Sequence, residues 1–173
     1  MPLQIRTAGI EDAALIADLS HTTFYETFAP SNREEDMRKF LDEQFTKGKL
    51  MLEVGRMENR FYLAFEGEQV AGYLKLRDGQ LPPQLYRQQA LEIARLYACT
   101  EFIGKGVGAA LMQKSLDVAK ELNKDWVWLG VWEKNERAIA FYRRWGFEKF
   151  ADTEFLLGDD LQNDWLMRRR VAL

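Results

Sequence analysis

Three closely spaced glycines carry the plainest chemistry in this sequence. Gly104, Gly106 and Gly108 alternate with Ile103, Lys105 and Val107, and Ala109 follows them. Ahead of the turn stands a stretch rich in apolar and aromatic residues, Leu91 to Phe102, which reads as a buried strand. Behind it, Val107, Leu111, Val118 and Leu122 fall on one face at helical spacing. Glycine lets a backbone approach an anion closely, and the first N–H groups of a helix have no internal acceptor. A strand, a glycine turn and a helix start therefore predict a diphosphate seat made by the backbone from Gly104 to Ala109. The same residues fit the dinucleotide pattern G-x-G-x-x-A. A dinucleotide fold places that turn after its first strand, however, and here about a hundred residues precede it. No G-x-x-x-x-G-K-[ST] loop exists. The competing structural reading is a turn whose glycines only tighten a strand–helix connection.

The elements that would position this turn follow from periodicity. Leu3 to Thr7 alternates as a first strand, and Gly9 with Asp12 opens a helix carried by Ile10, Ala14, Ile16, Ala17 and Leu19. His21 to Phe28 either extends or ends it. Pro30, Ser31 and Asn32 break the pattern, and Glu34, Glu35 and Asp36 suit the first turn of a second helix bearing Met37, Phe40, Leu41 and Phe45. Phe61–Phe65 and Gln69–Arg77 form a hairpin about Glu66-Gly67-Glu68. The loop Asp78 to Gln89 contains Pro82-Pro83, and its length suggests a functional rim. After the glycine turn come a near-continuous apolar strand, Asp125 to Trp132, expected to be covered on both faces, and a helix, Asn135 to Trp145, stopped by Gly146. Two strands, about Phe147–Leu157 and Gln162–Val171, close the chain around Gly158-Asp159-Asp160. The order βααββ–βα–βα–ββ predicts one α/β domain over residues 1–173, with a mixed sheet and flanking helices.

Composition narrows the function classes. The chain has 173 residues, 47% of them hydrophobic, enough for one full core. A net charge of −3 argues against a nucleic-acid binder driven by bulk electrostatics. The longest apolar run, Trp126 to Trp132, is far short of a membrane span. One cysteine, Cys99, permits no intrachain disulfide, and one cysteine with one histidine, His21, builds no zinc site, so no metal is expected. The expectation is a soluble cytoplasmic domain.

A second motif, Asn135-x-x-Ala138-x-x-Phe141-Tyr142-x-x-x-Gly146-Phe147, follows the apolar strand. Together with the glycine turn it resembles the GCN5-related N-acetyltransferase (GNAT) superfamily, whose members move an acetyl group from acetyl-coenzyme A to an amine. The pyrophosphate signature of that family, Q/R-x-x-G-x-G/A, lands on Ile103 to Gly108, and Ile103 departs from it. The departure removes a side-chain contact but leaves the backbone donors. Three further segments, Thr23–Phe28, Asn32–Met37 and Gly158–Asp164 with Met167, resemble the PaiA-type spermine/spermidine acetyltransferases.

The resemblance implies a mainly antiparallel central sheet, acetyl-CoA as cosubstrate and a small-molecule amine as acceptor, a polyamine such as spermidine or spermine foremost. No nucleic acid or membrane is expected as partner, and a homodimer is allowed. It places Tyr142 as the acid that protonates the leaving thiolate, and Glu92 as the carboxylate that accepts the proton of the amine, directly or through water; Tyr97 is a second candidate. Asn135 is expected to hydrogen-bond the pantetheine arm, and Leu96, Tyr97 and Ala98 to offer it backbone groups where their strand splays from the next. Between Glu11 and Glu43 nine acids stand against three bases, a net −6 that would attract a polycation. Within it, Glu26 and Asp36 lie in the PaiA-like segments and are the candidate ammonium holders. The alternatives are a protein N-terminus, a lysine or another small amine as acceptor, or a non-catalytic acyl-CoA sensor, which the presence of both Glu92 and Tyr142 disfavours.

Overall fold

The computed structural model describes residues 2–172. Seven strands form one sheet in the order β1-β2-β3-β4-β5-β7-β6. They are β1 (Leu3–Thr7), β2 (Asn59–Glu66), β3 (Gln69–Arg77), β4 (Ala90–Ala98), β5 (Trp126–Trp132), β6 (Glu148–Leu157) and β7 (Asp160–Arg170). Every neighbouring pair is antiparallel except β4 and β5. The helices are α1 (Ala13–Phe28), α2 (Glu34–Gln44), α3 (Lys47–Val54), α4 (Val107–Glu121) and α5 (Glu136–Arg144). Among the described residues, no helix is long and apolar enough to cross a membrane.

The expected order holds, with two differences, an added helix and an earlier strand end, and with the first of the two readings of His21 to Phe28 taken. A helix is added: α3, capped by the Thr46 hydroxyl, which accepts from Lys49 N at 3.3 Å. The first helix runs on through His21 to Phe28, since Ser20 and Thr23 turn their hydroxyls back onto the Ile16 and Leu19 carbonyls (2.7 Å each) and so satisfy themselves inside it. The glycine-turn strand stops at Ala98, and Thr100–Phe102 forms a single 3₁₀ turn before Gly104.

The period-two alternation of β5 sorts its residues between two layers. Val127, Leu129 and Val131 join Leu111, Ile139 and Phe147 in the core beneath α4 and α5. Trp128, Gly130 and Trp132 face the side that carries α1–α3. Coverage on both faces, expected from the apolar run, is therefore incomplete. Gly130 is exposed, because that face of β5 forms the floor of a groove.

Asp36 has a structural post in this layer. It is 7% exposed and its Oδ1 accepts from Asp159 N at 3.0 Å, tying α2 to the β6–β7 turn. At Gly158 (φ +62°) a Cβ would stand 2.4 Å from Asp36 Cα, so the two segments touch backbone to backbone. The sequence suggested Asp36 as an ammonium holder; here its Oδ1 is engaged by the Asp159 N–H. Asp36→Ala would leave the Asp159 N–H unpaired and is expected to cost about 1–3 kcal/mol in urea unfolding, with the KM for any amine unchanged.

Candidate functional site

The site begins where β4 and β5 part. Their parallel pairing covers only Ala90–Glu92 against Trp126–Trp128, and Ala94 is an extra residue opposite β3, between the Lys75–Arg95 and Leu76–Ile93 pairs. From Ile93 on, the β5-facing edge of β4 has no ladder partner, and a chamber of about 180 Å³ opens between Ile93–Tyr97 and Gly130–Trp132. Phe24 and Phe28 of α1 and Phe155 of β6 wall it, and Asn135, Tyr142 and Asp164 reach it. Leu96 and Tyr97, expected to offer backbone groups there, do line it; Ala98 lines a neighbouring pocket of about 600 Å³ with Thr100 and Ile103.

The glycine turn lies beyond the same strand end. Gly104 and Gly106 take φ of +81° and +85°, conformations costly for any other residue, and a Cβ on either would meet open space. Gly106 is the N-cap of α4, whose first hydrogen bond runs from Ala110 N to Gly106 O at 3.0 Å. The N–H groups of Val107, Gly108 and Ala109 are thus without helical acceptors. Val107 is buried, Ala109 and Lys105 are exposed, and the Lys105 ammonium sits 5.5 Å from the Phe102 ring centre. Ile103, where the pyrophosphate signature has Gln or Arg, is 42% exposed.

Tyr142 projects from α5 with its ring edge-on to Phe141 and Phe147 (5.4 and 5.8 Å between centres). Burial pushes its hydroxyl up to about 12, so at neutral pH it holds its proton. Burial, with Tyr73 stacked at 6.0 Å, also drives the Tyr97 hydroxyl upward. Asn135 does cap α5, its Oδ1 accepting from Ala138 N at 3.2 Å, while it lines the chamber.

Besides Asp36, the carboxylates expected at the site on sequence grounds are Glu92 and Glu26, and each lines a pocket other than the one that Tyr142 lines. Glu92 is buried, its Oε1 accepting from Arg77 Nε at 2.7 Å, and it lines a second chamber of about 310 Å³ rather than the one that Tyr142 lines. Glu26 lies in the pocket with Ala98 and Ile103, where it accepts from Thr100 Oγ1. Several acids of the first two helices have local cationic partners. Asp12 pairs with Arg6, Asp18 with Lys47, Glu34 with Arg38 and Glu35 with Arg33.

The carboxylate in the chamber of Tyr142 is Asp164, cross-strand from Trp132. Burial first, and then the nearby Glu133, raise it to about 6. Its signal in the sequence was a lone acid alternating with Leu166 in a half-apolar strand. Arg95 also reaches the chamber, yet both its terminal nitrogens hold Glu53 of α3 (2.8 and 2.9 Å), and Lys75 approaches the same carboxylate at 3.4 Å. The added helix thus neutralises the cation nearest the site. A phenol that keeps its proton and a carboxyl raised to about 6 share one aromatic chamber, the pairing that a proton donor and a proton acceptor require.

The sequence profile of the acetyltransferase (GNAT) family matches residues 21–147. Among curated relatives, the uncharacterized N-acetyltransferase in the pepI 3'region of Lactobacillus delbrueckii subsp. lactis is 37% identical over 154 residues, 89% of each chain. The spermidine N(1)-acetyltransferase of Thermoplasma acidophilum is 26% identical over 89% of this chain and 92% of its own. The crystal structure of PaiA N-acetyltransferase from Thermoplasma acidophilum in complex with coenzyme A superposes with a TM-score of 0.79 at 24% identity, covering 98% of this chain and 99% of the other. On its sequence and its fold, the chain belongs to the GNAT family of N-acetyltransferases.

Proposed function

We propose that this protein transfers the acetyl group of acetyl-CoA to a primary amine of a cationic small molecule, a polyamine foremost. The observation that carries the reading is the meeting of Tyr142 and Asp164 in the gap between β4 and β5, beside a glycine turn with free N–H groups. The residues present fit acetyl-CoA. The Gly104–Ala109 backbone would take its diphosphate, the unpaired edge of β4 its pantetheine arm, and Asn135 the end of that arm. When bound, acetyl-CoA supplies a thioester whose carbonyl carbon an amine can attack.

The chain's own groups would then handle two protons. An alkylammonium has a pKa near 10, so only about one molecule in a thousand is nucleophilic at pH 7. Asp164 would hold the incoming ammonium against the aromatic walls; the ammonium loses its first proton to solvent, which frees the lone pair, and Asp164 would accept the second as nitrogen forms the new C–N bond. Tyr142 would give its proton to the sulfur as the C–S bond breaks, and a hydroxyl raised to about 12 is fully loaded for that task. Glu92, committed to Arg77, is assigned no part in the proton transfer.

Support for a polyamine comes from the carboxylate set in aromatic walls, and from the relative named a spermidine N(1)-acetyltransferase. The experiment is a steady-state survey of spermidine, spermine, simple alkylamines and a peptide amine with acetyl-CoA, following thiol release. Acetylation of the peptide alone would leave the acetyltransferase reading and overturn the polyamine. In the same assay Tyr142→Phe, which keeps the ring and its packing, is expected to lower kcat by roughly 10²-fold with the acetyl-CoA affinity nearly unchanged. An undiminished kcat would show that another group protonates the thiolate.

A further inference from the structure

The chamber of Tyr142 does not end at the reacting centre. Gly130 and Asp164 line it, and both also line the second chamber, whose other walls include Gln80, Pro82, Glu92, Trp128 and Thr153. The two spaces share Gly130 as a wall, the exposed position of a strand whose neighbours Leu129 and Val131 are buried. A Cβ there would clash with nothing; its nearest atoms are Leu166 Cδ2 at 3.7 Å and Asp164 Oδ2 at 4.0 Å. Glycine is thus not demanded by packing or by a left-handed backbone, and what its missing side chain leaves is passage. The loop foreseen as a rim, residues 78–89, supplies Gln80, Leu81 and Pro82 to the far wall.

We propose that Gly130 is the throat of a two-chamber acceptor groove and that the acceptor is an elongated diamine whose distal ammonium is received by Glu92; this rests on the reading of the first chamber as the acetylation site. The chemistry of the far chamber matches such a chain. Leu81, Pro82, Trp128 and Leu166 offer apolar surface to methylenes, and no basic residue lines it. Glu92 Oε1 is held by Arg77, whereas Oε2 takes no hydrogen bond from any described residue and remains an acceptor for a second donor. Asp164 lines both chambers and Glu92 lines the second, so the acceptor's path carries two carboxylates. Glu92 is therefore a specificity-determining residue rather than a catalytic one.

Two α,ω-diamines of equal charge and different length, ethylenediamine and octamethylenediamine, isolate the effect of the throat. In the unaltered enzyme kcat/KM is expected to favour the longer diamine. Gly130→Val fills the throat, and Thr153→Trp fills the far chamber from an exposed position of the edge strand β6, where folding is not at stake. Each is expected to cut the long-to-short ratio by roughly tenfold or more, the scale at which pocket contacts discriminate between chains. Should Gly130→Val fail to fold, Thr153→Trp alone decides. Glu92→Gln is expected to lower the rate with octamethylenediamine relative to octylamine, which has the length without the second charge. A length preference absent from the unaltered enzyme, or kept by Thr153→Trp, overturns the two-chamber groove while leaving acetylation intact. An unchanged diamine-to-monoamine ratio in Glu92→Gln overturns the anchor. If none of these amines is acetylated, the acceptor reading itself fails and the groove falls with it.

Discussion

Gly108→Asp is expected to abolish acetyl-CoA binding while leaving the fold as stable as before. Gly108 is the second residue of α4, in a turn whose N–H groups have no helical acceptors. A Cβ added there would lie 3.4 Å from the Phe141 ring, an ordinary contact, and its backbone is not left-handed. An acid in the first turn of a helix also suits the helix dipole, by about 0.3–1 kcal/mol. Against a bound diphosphate the same carboxylate is repulsive. Two unit charges about 4 Å apart near a protein surface interact by about 4 kcal/mol, which is about 10³ in affinity. Gly108→Ala adds the methyl without the charge and should keep most of the binding. Calorimetric titration of both variants with acetyl-CoA, and of the unaltered protein with NAD alongside, measures this. Full affinity in Gly108→Asp would move the diphosphate away from the turn, and tighter binding of NAD would replace the ligand altogether.

Local order was legible in the sequence wherever periodicity and turn chemistry agreed. The hairpin around Gly67, the helix stopped by Gly146 and the glycine turn all fall where their residues predicted, because Gly67, Gly104, Gly106 and Gly146 adopt a positive φ that other residues avoid. The helix Lys47–Val54 escaped because its eight residues carry only one fully buried side chain, Leu50, although Thr46 and the i, i+4 pair of Leu50 and Val54 were its signal. Partners across the sheet escaped for a different reason. Glu92 and Arg77 lie fifteen residues apart in the chain, and Asp36 and Asp159 lie 123 apart. No local pattern marks which carboxylate takes such a partner and which reaches the chamber of Tyr142. Glu26, Asp36 and Glu92 were chosen for the segments they occupy, and Asp164 stood unremarked inside another of those segments. The sheet register sets Asp164 apart, because it places it opposite Trp132 in the wall of the chamber between β4 and β5.

Asp164→Asn is expected to make the protein more stable and far less active, a pair of effects in opposite directions that a merely structural residue would not give. Burial raises the Asp164 carboxyl to about 6, against an unfolded value of about 3.9. The folded state therefore favours the protonated acid. Whatever stability this confers is complete below about pH 4, is lost as pH rises through about 6, and is absent at pH 7, where the charge is held in a poorly solvated site. Asparagine removes that charge at nearly the same volume. Allowing for the side chain's partial exposure, the gain at pH 7.5 should be about 1 kcal/mol and should vanish near pH 4. Catalysis should respond the other way. A base must be deprotonated to act, so kcat/KM should rise with pH through an apparent pKa near 6 in the unaltered enzyme, in addition to the later rise as the amine itself deprotonates. Asp164→Asn should lose that lower limb and roughly 10²–10³-fold in kcat/KM for a diamine, the ammonium contact and the proton acceptor being removed together. Thermal unfolding at the two pH values and pH–rate profiles of both proteins settle the matter. A variant with an intact lower limb would return the search for the proton acceptor to other groups of the chamber, with Tyr97 the next to be replaced.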